Sequence, residues 1–112
     1  MISRRKLKRF QLITQLHVLE GEAHRPFGMV LDINVEGLSL RAPEVLGMNK
    51  TYRLRVELPG EIRGTSSFDV TARCAWCAKS DNPDLFDAGM QFVGISPDAV
   101  EAIEELVRRF RR

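Results

Sequence analysis

The sequence predicts an all-β domain closed by a single C-terminal helix. Three observations lead there. Six short segments alternate apolar and polar residues with the period of two that half-buries a strand, and clusters of Gly, Pro, Asn and Asp separate them at short intervals. Only the last stretch, after Ser96-Pro97-Asp98, repeats its apolar residues at helical spacing. Strands followed by one helix read as a small antiparallel barrel or sandwich with the helix packed on it. At 112 residues, 44% hydrophobic and 29% charged, the chain is one domain able to bury a core without disulfide or metal staples.

Taken in order, residues 1–9 are predicted to be a mobile basic arm, because they hold too little apolar surface to offset their ordering entropy. The domain proper is expected over 10–112. Phe10 to Glu20 alternates at Phe10, Leu12, Leu16 and Val18, a half-buried strand. A loop at 21–26 carries His24, and strands follow at about 26–33 and 37–42, closed by Pro43 and Gly47. From Thr51 to Leu58, Tyr52, Leu54, Val56 and Leu58 share one face and Arg53, Arg55 and Glu57 the other. Pro59-Gly60 is expected to turn this strand and 64–67 to loosen the return. Phe68 to Ala78 resumes alternation, with Phe68, Val70, Ala72, Cys74 and Trp76 on one face. After a turn at 80–84, Leu85 to Val93 is the last strand, and Gly89 within it marks a close approach by a neighbouring chain or side chain. Ser96 as N-cap, Pro97 in the first turn and Asp98 behind it start a helix at about 97–111, with Val100, Ile103, Leu106, Val107 and Phe110 as its apolar stripe.

The net charge of +2 conceals a strong asymmetry. Residues 1–9 and 108–112 hold five and four Lys and Arg and no acid, hence +9; residues 10–107 hold the other eight with all 15 Asp and Glu, hence −7. Basic ends on an acidic body favour an anionic partner: nucleic acid, nucleotide or membrane surface. No apolar run approaches the length of a membrane span, so a soluble, cytoplasmic protein is expected. Cys74-Ala-Trp-Cys77 lacks the further ligands of a zinc site, and on an alternating strand its thiols should face opposite sides of the sheet, which suits structural rather than redox cysteines. His17 and His24 lack catalytic partners at suggestive spacing, and no nucleophile, carboxylate pair or phosphate-cradling loop stands out, so no enzyme, metal or cofactor is expected.

Two stretches remain for binding. Asp32-Ile33-Asn34-Val35-Glu36-Gly37 reads on its own as a hairpin turn, in which Asp and Asn fold back onto backbone amides and Gly37 permits positive φ or a close backbone approach. Beside the guanidinium-rich Arg4-Arg5-Lys6-Leu7-Lys8-Arg9, the same turn could hold an anionic ligand with hydrogen-bonding edges. Arg5 to Arg9 resembles an Arg-x-x-x-Arg motif, and Asp32 to Gly37 resembles the Asp/Asn-x-Ser-x-x-Gly motif, of PilZ domains, bacterial receptors for cyclic di-GMP. The order and separation of the two, Gly37-Leu38-Ser39-Leu40, Ala88-Gly89-Met90-Gln91-Phe92 and the closing helix extend the resemblance over nearly the whole chain.

The resemblance implies a six-stranded antiparallel split barrel and a ligand, cyclic di-GMP. A guanidinium can grip guanine O6 and N7 with parallel bonds and finds further acceptors on phosphate, which are the roles implied for Arg5 and Arg9, with Arg4 adding a phosphate contact. Asp32 would accept from guanine N–H groups, and Gly37 would let the turn pass close to the ligand. Asn34 departs from the family's usual Ser, with a larger amide that still donates and accepts. The expected signal is closure of the mobile arm over the barrel on ligand binding, passed to a protein partner, for which the resemblance implies motility, secretion or polysaccharide export. The alternatives are a protein-interaction adaptor of the same fold that binds no nucleotide and a basic barrel for RNA or single-stranded DNA. The aromatics fit core parity better than a stacking platform, so a nucleic-acid partner is not expected.

Overall fold

Alternating strands leave one apolar face each, and six of them cover those faces by closing on one another. The computed structural model describes residues 9–112. Its strands are β1 (His17–Glu20), β2 (Arg25–Asn34), β3 (Gly37–Ala42), β4 (Thr51–Ile62), β5 (Thr65–Lys79) and β6 (Phe86–Phe92), followed by helix α1 (Pro97–Phe110). They form a closed antiparallel barrel in the order β1-β2-β3-β6-β5-β4, which removes the unpaired edges that invite aggregation. Inward residues such as Val18, Ile33, Leu38, Leu40, Val56, Ala72 and Met90 are buried.

Three local departures from simple alternation shape the barrel. First, the stretch from Phe10 is not one strand. Phe10 and Leu12 make only isolated bridges, to Ile33 and Arg111, and pairing proper begins at His17. Second, Pro59-Gly60 does not turn β4. The pair lies within the strand where its register to β5 shifts, between Glu57 and Ile62, the irregular place at which a proline without an N–H is tolerated. The turn is instead Arg63-Gly64, both at positive φ (55° and 80°), between the paired Ile62 and Thr65, as a two-residue hairpin requires.

Third, β5 has a bulge between Cys74 and Trp76, where they pair with Met90 and Gly89, consecutive residues of β6. One extra residue reverses the parity beyond it. Trp76 therefore leaves the face of Phe68, Val70, Ala72 and Cys74 and stands outside, 43% exposed. Cys77, opposite inward-facing Ala88, points to the same side as Cys74 rather than the opposite one. Both cysteines are free thiols.

The helix starts as its sequence indicates: Ser96 Oγ accepts from Ala99 N (3.1 Å), and Pro97 occupies the first turn. Its most buried residues are Ala99, Ala102, Ile103 and Leu106. The inward stripe is thus turned toward the alanines, which let the helix lie close to the barrel, and Val100, Val107 and Phe110 flank it half-buried. Arg63 at the β4–β5 turn pairs with Glu101 (2.7 Å) and ties the hairpin tip to the helix. No helix among the described residues is long and apolar enough to cross a membrane.

Candidate functional site

Ile33 pairs with Leu38 and both are fully buried, so their neighbours Asp32, Asn34, Gly37 and Ser39 lie on the outer face. The register carries this face across four strands in two rows. Asp32 is opposite Ser39, Ser39 opposite Gly89, and Gly89 opposite Trp76; Asn34 is opposite Gly37, Gly37 opposite Gln91, and Gln91 opposite Arg73. Asp32 and Trp76 are thus separated by three strand spacings, about 14 Å, with only Ser39 and Gly89 between.

Arg9 joins this face from outside the barrel. Phe10 N donates to Ile33 O (3.0 Å) and Ile33 N donates to Phe10 O (3.1 Å), which fixes the preceding residue beside β2. Arg9 Nη1 stands 3.5 Å from Asp32 Oδ1, with the side chains 16% and 27% exposed. The pair is incompletely satisfied: Arg9 Nε and Asp32 Oδ1 are buried atoms without a hydrogen-bond partner among the described residues. A buried polar group left in that state costs about 1–3 kcal/mol, so a ligand supplying an acceptor to Nε and a donor to Oδ1 would find part of its binding energy waiting.

The turn below is stapled by its own side chain. Asn34 Oδ1 accepts from Glu36 N (2.7 Å) and Gly37 N (3.1 Å), and the residue is only 4% exposed. Its carbonyl oxygen serves the turn. Gly37 is not among the residues at positive φ; it is required by close approach, because a Cβ there would overlap the Met90 carbonyl oxygen of β6. Gly89 is the second such position. A Cβ there would collide with the indole of Trp76, which therefore lies directly over the glycine.

The rim of the face is held by charge. Arg73 donates to Asn49 Oδ1 (2.9 Å) and Gln91 Oε1 (2.5 Å). Arg41 grips Asp87 through Nε (2.7 Å) and Nη2 (3.1 Å), and this hydrogen bonding, with the attraction of the carboxylate, keeps the guanidinium pKa above its ordinary value. Farther round, Arg55 holds the Asp69 carboxyl below the usual carboxylate range, chiefly by its hydrogen bond.

Of the residues singled out from sequence, Arg9, Asp32, Asn34 and Gly37 come together here; Arg4 and Arg5 lie outside the described residues. Trp76 is the residue that alternation missed, since an intact strand would have turned it inward. The one signal for it was Gly89, whose missing side chain makes room for the indole. No group of three or more His, Cys, Asp or Glu among the described residues is arranged to hold a metal. The larger concavities lie elsewhere, one of about 750 Å³ beside Phe27, Met29 and Leu31 and one of about 390 Å³ beside His24, Arg53 and Asp69.

A family model, the PilZ domain, matches residues 3–109. No curated protein matches the sequence. Among solved structures, the fold is similar to the Bacillus subtilis inhibitor of motility MotI/DgrA, with a TM-score of 0.71 and 16% identity over 96% of this chain and 51% of that one. It is similar to YcgR from Escherichia coli, solved in complex with c-di-GMP, with a TM-score of 0.71 and 12% identity over 96% and 46%. K. pneumonia MrkH in its apo state gives 0.67 and 13% over 96% and 52%. At such identities the likeness is one of fold, and the chain spans about half the length of each.

Proposed function

The chain belongs to the PilZ domain family, and from that premise we propose that it is a receptor for cyclic di-GMP that binds the nucleotide on the outer face between Arg9 and Trp76. The observation that carries this reading is the juxtaposition of Arg9 and Asp32, the last residue of one motif and the first of the other, with a buried donor and a buried acceptor that make no hydrogen bond among the described residues. A guanine complements both. Its N1–H and N2–H donate to a carboxylate such as Asp32, while its O6 and N7, or a phosphate oxygen, accept from guanidinium groups. Hydrogen bonds to charged groups are worth about 1.5–3 kcal/mol each, enough for two or three of them to dominate binding.

Trp76 adds a flat apolar surface at the far end of the same row. Stacking of a base on an aromatic side chain is worth about 1–3 kcal/mol and needs no particular edge. Gly89 lies under the indole itself, and Ser39, 5% exposed, lies between it and Asp32. Arg4 and Arg5 would close over the phosphates from the arm, and closure of that arm is the signal delivered to a protein partner. The path for it starts at Phe10, whose backbone pairs with Ile33 and whose ring lies 5.6 Å from the Arg111 guanidinium at the end of the helix.

A second reading, an adaptor of the same fold that binds no nucleotide, draws on Asn34, whose carbonyl oxygen is committed to the turn. One experiment separates the two. Trp76 is the only tryptophan of the chain, so its fluorescence reports the face directly. Saturable quenching by cyclic di-GMP, absent with cyclic di-AMP, is expected of the receptor. An emission unchanged by either nucleotide speaks for the adaptor.

A further inference from the structure

Residues 11–13 are joined in the fold to the arginine-rich end of the helix. Ile13 N donates to Phe110 O (2.7 Å), Arg112 N donates to Gln11 O (2.8 Å), and Leu12 bridges Arg111. This short antiparallel strap brings Arg9 to the same end of the barrel as Arg108, Arg109, Arg111 and Arg112. Little acid offsets them. Arg108 and Arg109 share one carboxylate, that of Glu105, and Asp32 faces Arg9. Neither Arg111 nor Arg112 pairs with an acid among the described residues, and both are exposed.

We infer that the strap at 11–13 and the arginine-rich helix end form a docking surface for an anionic lipid bilayer. Charge complementarity calls for a polyanion, and two features choose a bilayer among polyanions. Ile13, in the middle of the strap, is 65% exposed, an apolar side chain standing among arginines as it would to enter the headgroup boundary. No residue of the strap or of the helix end lines either of the concavities described above. An open cationic surface attracts anionic lipid additively, cation by cation, without demanding shape. A stacking platform for single-stranded nucleic acid is also missing here among the described residues, since the ring of Phe10 is half-buried and covered by Arg111.

The test is sedimentation of the full chain with vesicles of phosphatidylglycerol mixed with phosphatidylcholine, against phosphatidylcholine alone. Recovery on the anionic vesicles only, released by added salt, is expected. Replacing three exposed arginines in the variant Arg108→Gln, Arg109→Gln, Arg112→Gln should lower partitioning by about 100-fold at an unchanged melting temperature. Ile13→Ser should weaken it several-fold with every charge kept, a readout that does not depend on the triple variant folding. Equal recovery on both vesicles, or recovery on neither, overturns the inference. So does capture by duplex DNA as tight as by the anionic vesicles together with indifference to Ile13→Ser, which would make the surface a nucleic-acid site.

Discussion

Arg9 and Asp32, separated in sequence by the whole of β1 and most of β2, meet on the outer face of the barrel with Nη1 and Oδ1 3.5 Å apart. The contact is long for an ion pair and leaves Asp32 Oδ1 and Arg9 Nε without hydrogen bonds among the described residues. Such a pair adds little stability, since partly exposed ion pairs are worth about 0–1 kcal/mol. Asp32→Asn should therefore change the unfolding free energy by less than about 1 kcal/mol. It should nevertheless weaken cyclic di-GMP binding by at least about tenfold, because an amide replaces the charged acceptor. Chemical denaturation and nucleotide titration on the same protein check the two halves. A large loss of stability would make the pair structural.

Gly37 and Gly89 are expected to respond differently to alanine. At Gly37 the new Cβ meets the backbone carbonyl of Met90, which cannot swing away, so β3 and β6 must move apart. A loss of about 1–3 kcal/mol or more is expected in thermal or chemical unfolding. At Gly89 the obstacle is the Trp76 side chain, which can rotate into solvent. Gly89→Ala should cost less stability than Gly37→Ala but shift the tryptophan emission and weaken nucleotide binding together. An unaltered spectrum would place the indole elsewhere in solution.

The thiols should also separate in reactivity. Burial, reinforced by nearby Cys77, pushes the Cys74 thiol above its ordinary pKa, whereas Cys77 is only half-buried, with its sulfur accepting from Leu46 N (3.5 Å). An alkylating reagent at mildly alkaline pH should label Cys77 first and Cys74 only on unfolding, read by mass spectrometry. Because the folded pKa of Cys74 is raised, its contribution to stability is complete below the ordinary thiol pKa and falls away as pH rises through the folded value.

Strand periods, the helix cap and the turn motif were legible in the sequence because each rests on local chemistry. Tyr52, Leu54 and Val56 alternate into the core, Ser96 caps the helix, and Asn34 folds onto its own turn. What was not legible depends on pairing between strands. The bulge at Cys74–Trp76 exists because β5 and β6 slip by one residue, and no residue type within Cys74-Ala-Trp-Cys77 announces it. That single slip moved Trp76 to the outer face and brought both thiols to the inner one. Pro59-Gly60 misled for a related reason: two residues that favour turns are also tolerated where a ladder breaks. The strap between Gln11–Ile13 and the helix end involves residues almost a hundred positions apart, beyond any local pattern.

The most direct measurement is isothermal titration calorimetry of the full chain with cyclic di-GMP, beside Arg9→Ala and with cyclic di-AMP as control. The expected result is saturable binding of cyclic di-GMP alone at micromolar or lower concentration, weakened at least about tenfold by Arg9→Ala, as loss of a charge-assisted contact requires. Absence of heat and of competition at high cyclic di-GMP concentration would contradict the receptor reading. Binding that Arg9→Ala leaves intact would contradict the site.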